Sequence, residues 1–196
     1  TNQELDDIFE LLNELNNLVI EGKIRTIGLS NETSWGTMQF LRIAKQSGFP
    51  KIVSIQNEYS LLCRHFDLDL AEVCHHENIG LLSFSPIACG ILSGKYLNGK
   101  IPTGSRKSIY NDLGNRHSNL MEKASQEYIN LSKKFNLNPS KMALAFCLQR
   151  PFMTSVIFGA TTEDQLINNI KSVEVKLETN HLSEIEKIYK KYPIPF

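Results

Sequence analysis

The sequence predicts an α/β fold of the (β/α)₈ barrel type, with this chain supplying about half of the barrel. Three observations carry that expectation. Short, mostly apolar runs alternate with segments of helical period, as in βα units on a parallel sheet. The runs close on hydroxyl, amide or aromatic residues, as barrel strands do where their C-terminal ends face a ligand. A complete barrel takes about 250 residues, whereas this chain has 196 residues and four clear strand signals. No G-x-G-x-x-G follows the first strand, so a dinucleotide-binding open sheet has no support.

Each element has its own signal. Leu5, Ile8, Phe9, Leu12, Leu15 and Val19 recur at three- and four-residue spacing, which predicts a helix over 3–21 ended by Gly22. Ile24 to Ser30 reads as a strand, and a helix over 34–46 stops at Gly48 and Pro50. Ile52 to Gln56 is a second strand, Leu68 to His76 a helix, and Gly80 to Ser85 a buried strand. From Pro86 to Ser118 the chain is rich in Gly, Ser, Lys and Asn, and about 91–118 is expected to be a functional or mobile loop. A helix over 120–135 follows. Asn138 and Pro139 then open another that ends near Arg150, with Pro where its missing N–H costs nothing. Thr154 to Phe158 is the fourth strand. The run Thr161-Thr162-Glu163-Asp164 caps a further helix, and Leu182 to Lys191 makes the last.

The charge balance, 21 basic against 21 acidic residues, argues against nucleic acid or an anionic membrane as partner. No apolar stretch approaches the 18 or so residues that span a bilayer, and no leader pattern is present, so the cytoplasm is expected. Cys63, Cys74, Cys89 and Cys147 form no CxxC pair and read as reduced structural thiols. His75 and His76 point about 100° apart on a helix, which suits a solvated face rather than a shared metal. No metal site is expected.

Read at their C-terminal ends, the strands offer Ser30 and Asn31, Gln56 and Asn57, Phe84 and Ser85, and Gly159 to Thr161. Amide and hydroxyl groups suit a carboxamide or heterocycle, an aromatic plane suits stacking, and a turn into a helix N-terminus favours phosphate. Those are the needs of a nucleotide. The same residues would equally solvate the mouth of a barrel.

Four motifs add to this. Gly22-Lys-Ile-Arg-Thr-Ile-Gly-Leu-Ser-Asn31 resembles the fifth-strand signature of the aldo-keto reductases, and Ile55-Gln-Asn-Glu-Tyr59 resembles their sixth. Phe84-Ser-Pro-Ile-Ala-Cys-Gly-Ile-Leu-Ser-Gly-Lys-Tyr96 resembles their seventh strand and its loop. Gly159-Ala-Thr-Thr-Glu-Asp-Gln-Leu-Ile-Asn-Asn169 resembles their last phosphate-binding segment. The order is the family's, and the chain is most similar to the branch with bacterial aldo-keto reductases and the β subunits of voltage-gated potassium channels. The resemblance implies that residues 1–196 are the C-terminal, cofactor-binding half of the barrel, with strands five to eight. It implies NADP(H), with NAD the lesser alternative.

By the same resemblance, Ser30, Asn31 and Gln56 hydrogen-bond the nicotinamide carboxamide, and Phe84 stacks on its ring where many relatives have Tyr or Trp. Ser85, Pro86, Ile87, Ala88 and Cys89 line the pyrophosphate. Lys95 and Arg106 belong to the loop over the cofactor, and the Arg106 guanidinium suits a 2′-phosphate. Gly159, Thr161, Gln165, Asn168 and Asn169 match the adenosine end. Some members carry Lys at the Gly159 position and Arg at the Gln165 position, and this chain carries neither. Trp35 and Tyr59 are candidate substrate walls.

The family's reaction is hydride transfer to an aldehyde or ketone with a Tyr as proton donor, supported by Lys, Asp and His, the Asp five residues before the Tyr. None of Asp6, Asp7, Asp67, Asp69, Asp112 or Asp164 has Tyr five residues later, and His65, His75, His76, His117 and His181 lie away from the strand ends. No catalytic residue is therefore expected in this chain. It begins on Thr1, as a trimmed or processed chain would. Three readings stay open: a piece of an ordinary reductase, a module that binds or senses NADP(H) without turnover, and a half-barrel that pairs with another chain. A lone half would expose an apolar inner sheet and two unpaired edges.

Overall fold

The structure is a computed structural model describing residues 1–114, 116 and 118–196. Its elements are α1 (Asn2–Ile20), β1 (Ile27–Ser30), α2 (Ser34–Ser47), β2 (Ile52–Glu58), α3 (Leu70–Glu77), β3 (Gly80–Phe84), α4 (Arg106–Tyr110), α5 (Asn119–Lys134), α6 (Pro139–Leu148), β4 (Met153–Val156), α7 (Glu163–Ile170) and α8 (Thr179–Lys191). The expected alternation of strand and helix is present. The four strands form one sheet in the order β1-β2-β3-β4. The chain divides into two compact units, one of Thr1–Asn57 with Phe66–Leu82, the other of Glu58–His65 with Ser83–Phe196.

In the first unit β1 and β2 run parallel, with Leu29 opposite Ile55 and Ser30 opposite Gln56 after an irregularity between Ile27 and Gly28. A Cβ on Gly28 would stand 2.5 Å from Ser54 Oγ and 3.2 Å from Ser54 O, so a larger residue there would have to displace the Ser54 side chain and crowd the partner strand. Ile27, Ile52, Ile55 and Leu81 are buried from the strands, as are Phe40, Leu41, Ile43 and Ala44 of α2. On α1 only Leu12 is fully buried, while Phe9 meets Phe49 at 5.6 Å between ring centroids. β1 starts later than the sequence pattern implied. Lys23 and Ile24 donate their N–H groups back to Leu18 O at 2.9 and 3.3 Å, closing α1 instead. Gly48, at φ +69, ends α2 as expected.

In the second unit the end of β3 lies beside β4, Ile157 N–H donating to Ser83 O at 2.8 Å. β2 runs on to Glu58, and beyond it Tyr59 N–H still reaches Phe84 O at 3.3 Å. Met142, Leu144, Phe146 and Cys147 of α6 form the core with Ala124, Tyr128 and Ile129 of α5. Tyr59 belongs to that core. It is fully buried, parallel to Phe146 at 6.0 Å and edge-on to Phe152 at 5.4 Å, so it is no substrate wall. Arg64 pairs with Glu186 at 2.9 Å and lies 3.9 Å over the Tyr189 ring. Asn138 caps α6 as expected, accepting from Lys141 N at 3.1 Å.

The loop expected over 91–118 is more structured than its composition implied; Asn115 and His117 lie outside the described residues. It holds 3-10 turns at Ala88–Ser93 and Leu97–Gly99 and the short α4. Buried Ile91, Leu92 and Leu113 anchor it, and Tyr96 Oη accepts from Lys107 N at 3.4 Å. Of the described strand residues Val53 is exposed, and Leu29, Leu82, Phe84, Met153 and Val156 are half-buried. Among the described residues no helix is long and apolar enough to cross a membrane.

Candidate functional site

The first unit gathers Ser30, Asn31 and Gln56. Asn31 leaves β1 at φ +54, a conformation Asn tolerates better than most residues. There its N–H donates to Gln56 O at 3.0 Å and its side-chain amide donates to Ser30 Oγ at 3.3 Å. One carboxamide and one hydroxyl therefore sit together at an exposed strand end, opposite Gln56. Asn57 instead serves the fold, its amide donating to Glu32 O at 3.3 Å. Trp35 is exposed at the start of α2.

The second unit holds the turn after β3. Ser85, Ala88 and Cys89 stand at φ +54, +46 and +55, followed by Gly90 at +92. Ala88 N–H donates to Ser85 O at 2.8 Å and Gly90 N–H to Ile87 O at 3.0 Å, which folds the chain tightly. The N–H groups of Ser85 and Ile87 meet no acceptor among the described residues. Strained backbone with unaccepted donors is the kind of concavity that binds anions. Lys95 lies against this turn, its Cε 2.7 Å and its Nζ 3.0 Å from where a Cβ on Gly90 would stand. The donor set thus fits a pyrophosphate. Phe84 is half-buried just before it, and Pro86 and Ala88 are buried within it. Arg106 is exposed as the first residue of α4.

Gly159, Ala160 and Thr161 form the exposed lead into α7. Thr162 Oγ1 caps the helix by accepting from Gln165 N at 3.2 Å, while Gln165 Oε1 accepts from both Thr161 N and Thr161 Oγ1 at 3.1 Å. Gln165 therefore braces the turn and offers its remaining amide donors. Asn168 is half-buried, and Asn169 is buried, not an ordinary surface residue. Glu163 and Asp164 occupy the first turn of α7, and their charge opposes a bare phosphate at this N-terminus.

Sequence reasoning missed Glu58 and Arg116. The Arg116 side chain is only 6% exposed and pairs with Glu58, donating from Nε at 3.2 Å and also from Nη2. Its Nη1 donates to Leu113 O at 2.7 Å, Gly114 O at 3.1 Å and Cys89 Sγ at 3.5 Å. Burial opposes the charge, but Glu58 more than offsets it and raises the guanidinium pKa. Burial, helped by Glu58, pushes the nearby Cys63 thiol up to about 11. Glu58 lies two residues after Gln56 and was visible in the motif; a partner 58 positions later was not.

Burial also drives the Tyr128 phenol upward, away from the lowered value a proton donor needs, and its hydroxyl has no hydrogen-bond partner among the described residues. The four cysteines are free, and only Cys89 is more than marginally exposed. His75 and His76 are exposed and edge-on to each other at 5.3 Å.

Comparison with known proteins supplies the lineage. The chain is 43% identical over 174 residues to Protein tas of Escherichia coli, covering 89% of this chain and 50% of that protein. An aldo-keto reductase of Babesia bovis is 37% identical over 181 residues, covering 89% of the chain and 64% of that protein. The uncharacterized oxidoreductase YrpG of Bacillus subtilis is 32% identical over 171 residues, covering 87% and 51%. The chain thus spans about half to two thirds of the length of these relatives. The profile of the aldo/keto reductase family, whose fold is the (β/α)₈ barrel, matches residues 2–190, and the chain belongs to that family.

Proposed function

We propose that this chain is the cofactor-holding, C-terminal half of a barrel oxidoreductase that uses NADP(H) to interconvert a carbonyl compound and its alcohol. The observation that carries this reading is the Ser85–Gly90 turn, with unaccepted N–H groups and the Lys95 ammonium against it. When bound, the nicotinamide supplies or accepts the hydride.

The residues of the chain bind and orient. Ser30, Asn31 and Gln56 offer hydroxyl and amide groups to the carboxamide and so fix which ring face is presented. Phe84 supplies the stacking plane, and Ser85 to Cys89 with Lys95 hold the pyrophosphate. Gly159, Thr161, Gln165, Asn168 and Asn169 hold the adenosine. Arg106 pairs with a 2′-phosphate, which favours NADP over NAD. The proton donor is assigned to sequence outside these residues, since no Asp here precedes a Tyr by five positions and Tyr128 is shifted the wrong way.

The test is consumption of NADPH by the protein in its full natural length against a panel of aldehydes and ketones. Turnover with NADPH well above that with NADH supports the reading. Saturable NADPH binding without turnover on any carbonyl leaves a module that holds the cofactor, and no binding rejects the assignment.

A further inference from the structure

The Arg116 guanidinium makes several contacts within the second unit. One guanidinium meets the carboxylate at the end of β2, the thiol of Cys89 in the strained turn, and two carbonyls, Leu113 and Gly114, at the far end of the loop. Phe196 covers it, ring centroid 5.2 Å from Cζ. The approach is close enough that a Cβ on Gly114, at φ +68, would fall 2.3 Å from Nη1. At its near end the loop is held by buried Ile91 and Leu92, and in the middle by the bond from Lys107 N to Tyr96 Oη. Arg116 joins its far end to the turn.

We propose that Arg116 is a positioning residue for cofactor retention: it pins the loop bearing Lys95 and Arg106 to the turn that holds the pyrophosphate, and Glu58 fixes it in that role. The inference rests on the cofactor reading above. The fork geometry matters as much as the charge. Nε and Nη2 face Glu58 while Nη1 faces the carbonyls and Cys89, and one ammonium cannot serve both directions. Releasing the far end of the loop restores chain freedom that binding must remove again, so the loss falls on the rate at which NADPH leaves.

The experiment uses the protein in its full natural length with Arg116→Met, Arg116→Lys and Glu58→Gln. Trypsin cleavage at Lys95, Lys100, Arg106 and Lys107 without cofactor reads the tether, and stopped-flow release of NADPH reads retention. Both substitutions of Arg116 are expected to speed cleavage within the loop, with no change at Arg42 and Lys45 of α2 or at Lys187 and Lys190 of α8. NADPH release should rise about tenfold or more, the equivalent of one charged hydrogen bond lost. Lysine is not expected to rescue it. Loop cleavage unchanged in Arg116→Lys and Arg116→Met overturns the tether. Faster cleavage with unchanged NADPH release overturns the link to retention, as does full rescue by lysine, which would mean that charge alone stabilises the fold. If Arg116→Met does not fold, Arg116→Lys and Glu58→Gln decide by the same two readouts. Wild-type protein that binds no NADPH rejects the cofactor reading and the retention role together, while the cleavage pattern still shows whether the tether exists.

Discussion

Gly90 shows how single residues set the candidate site. At φ +92, with the end of the Lys95 side chain where a Cβ would go, alanine there is strained whatever room Lys95 yields. Gly90→Ala is expected to cost about 1–3 kcal/mol in urea denaturation and to weaken NADPH binding, because the turn and Lys95 shift together. Unchanged stability would show that the turn is not held as described. On β2, Gln56→Ala is expected to raise the NADPH dissociation constant about tenfold by removing an amide offered to the carboxamide, with little effect on the melting temperature because the Gln56 side chain makes no hydrogen bond among the described residues. The candidates at strand ends could be picked out from residue type and position, whereas Lys95, Arg106 and the residues of α7 were named only through the family resemblance. The burial of Asn169 and Tyr59 was not legible, since whether a polar or aromatic residue on an element is buried depends on what packs over it. Arg116 was hidden for the same reason: it stands in a stretch rich in Gly, Asn and Ser, and its partners come from β2 and the turn.

The helices were the most legible elements, because capping residues and apolar period act within a few positions. Asn138 and Thr162 sit at the expected starts of α6 and α7. Asn138→Ala is expected to cost about 1 kcal/mol in thermal or urea unfolding and to leave NADPH affinity unchanged. Thr162→Ala should cost a similar amount and weaken NADPH binding as well, because the same cap orders the Thr161–Gln165 turn. Equal effects of the two on binding would contradict a role for the lead into α7. Strand ends were less legible: β1 gave residues to the cap of α1, and β2 gained residues through its pairing. The loop after β3 was read from composition as irregular, while its 3-10 turns depend on left-handed residues and on the anchors Ile91, Leu92 and Leu113.

At the scale of the whole molecule, both units carry a buried thiol that resists ionisation, Cys74 in the first and Cys63 in the second, each pushed up to about 11 by burial. The unfolded chain ionises them near 8.5. Their contribution to stability is complete below that value and is lost as pH rises toward 11, so the urea midpoint should fall over this window. The Cys63→Ala and Cys74→Ala variants should show a shallower fall, and an identical slope would contradict the assignment. The alternation of strands and helices, the family and the two sets of strand-end groups together make cofactor binding the central claim. Titration of NADPH and NADH by nicotinamide fluorescence, with wild type, Gln56→Ala and Arg106→Ala, tests it most directly. Saturable NADPH binding that Gln56→Ala weakens for both cofactors and Arg106→Ala weakens for NADPH alone is the expected result. Absence of saturation, or binding indifferent to Gln56→Ala, would contradict it.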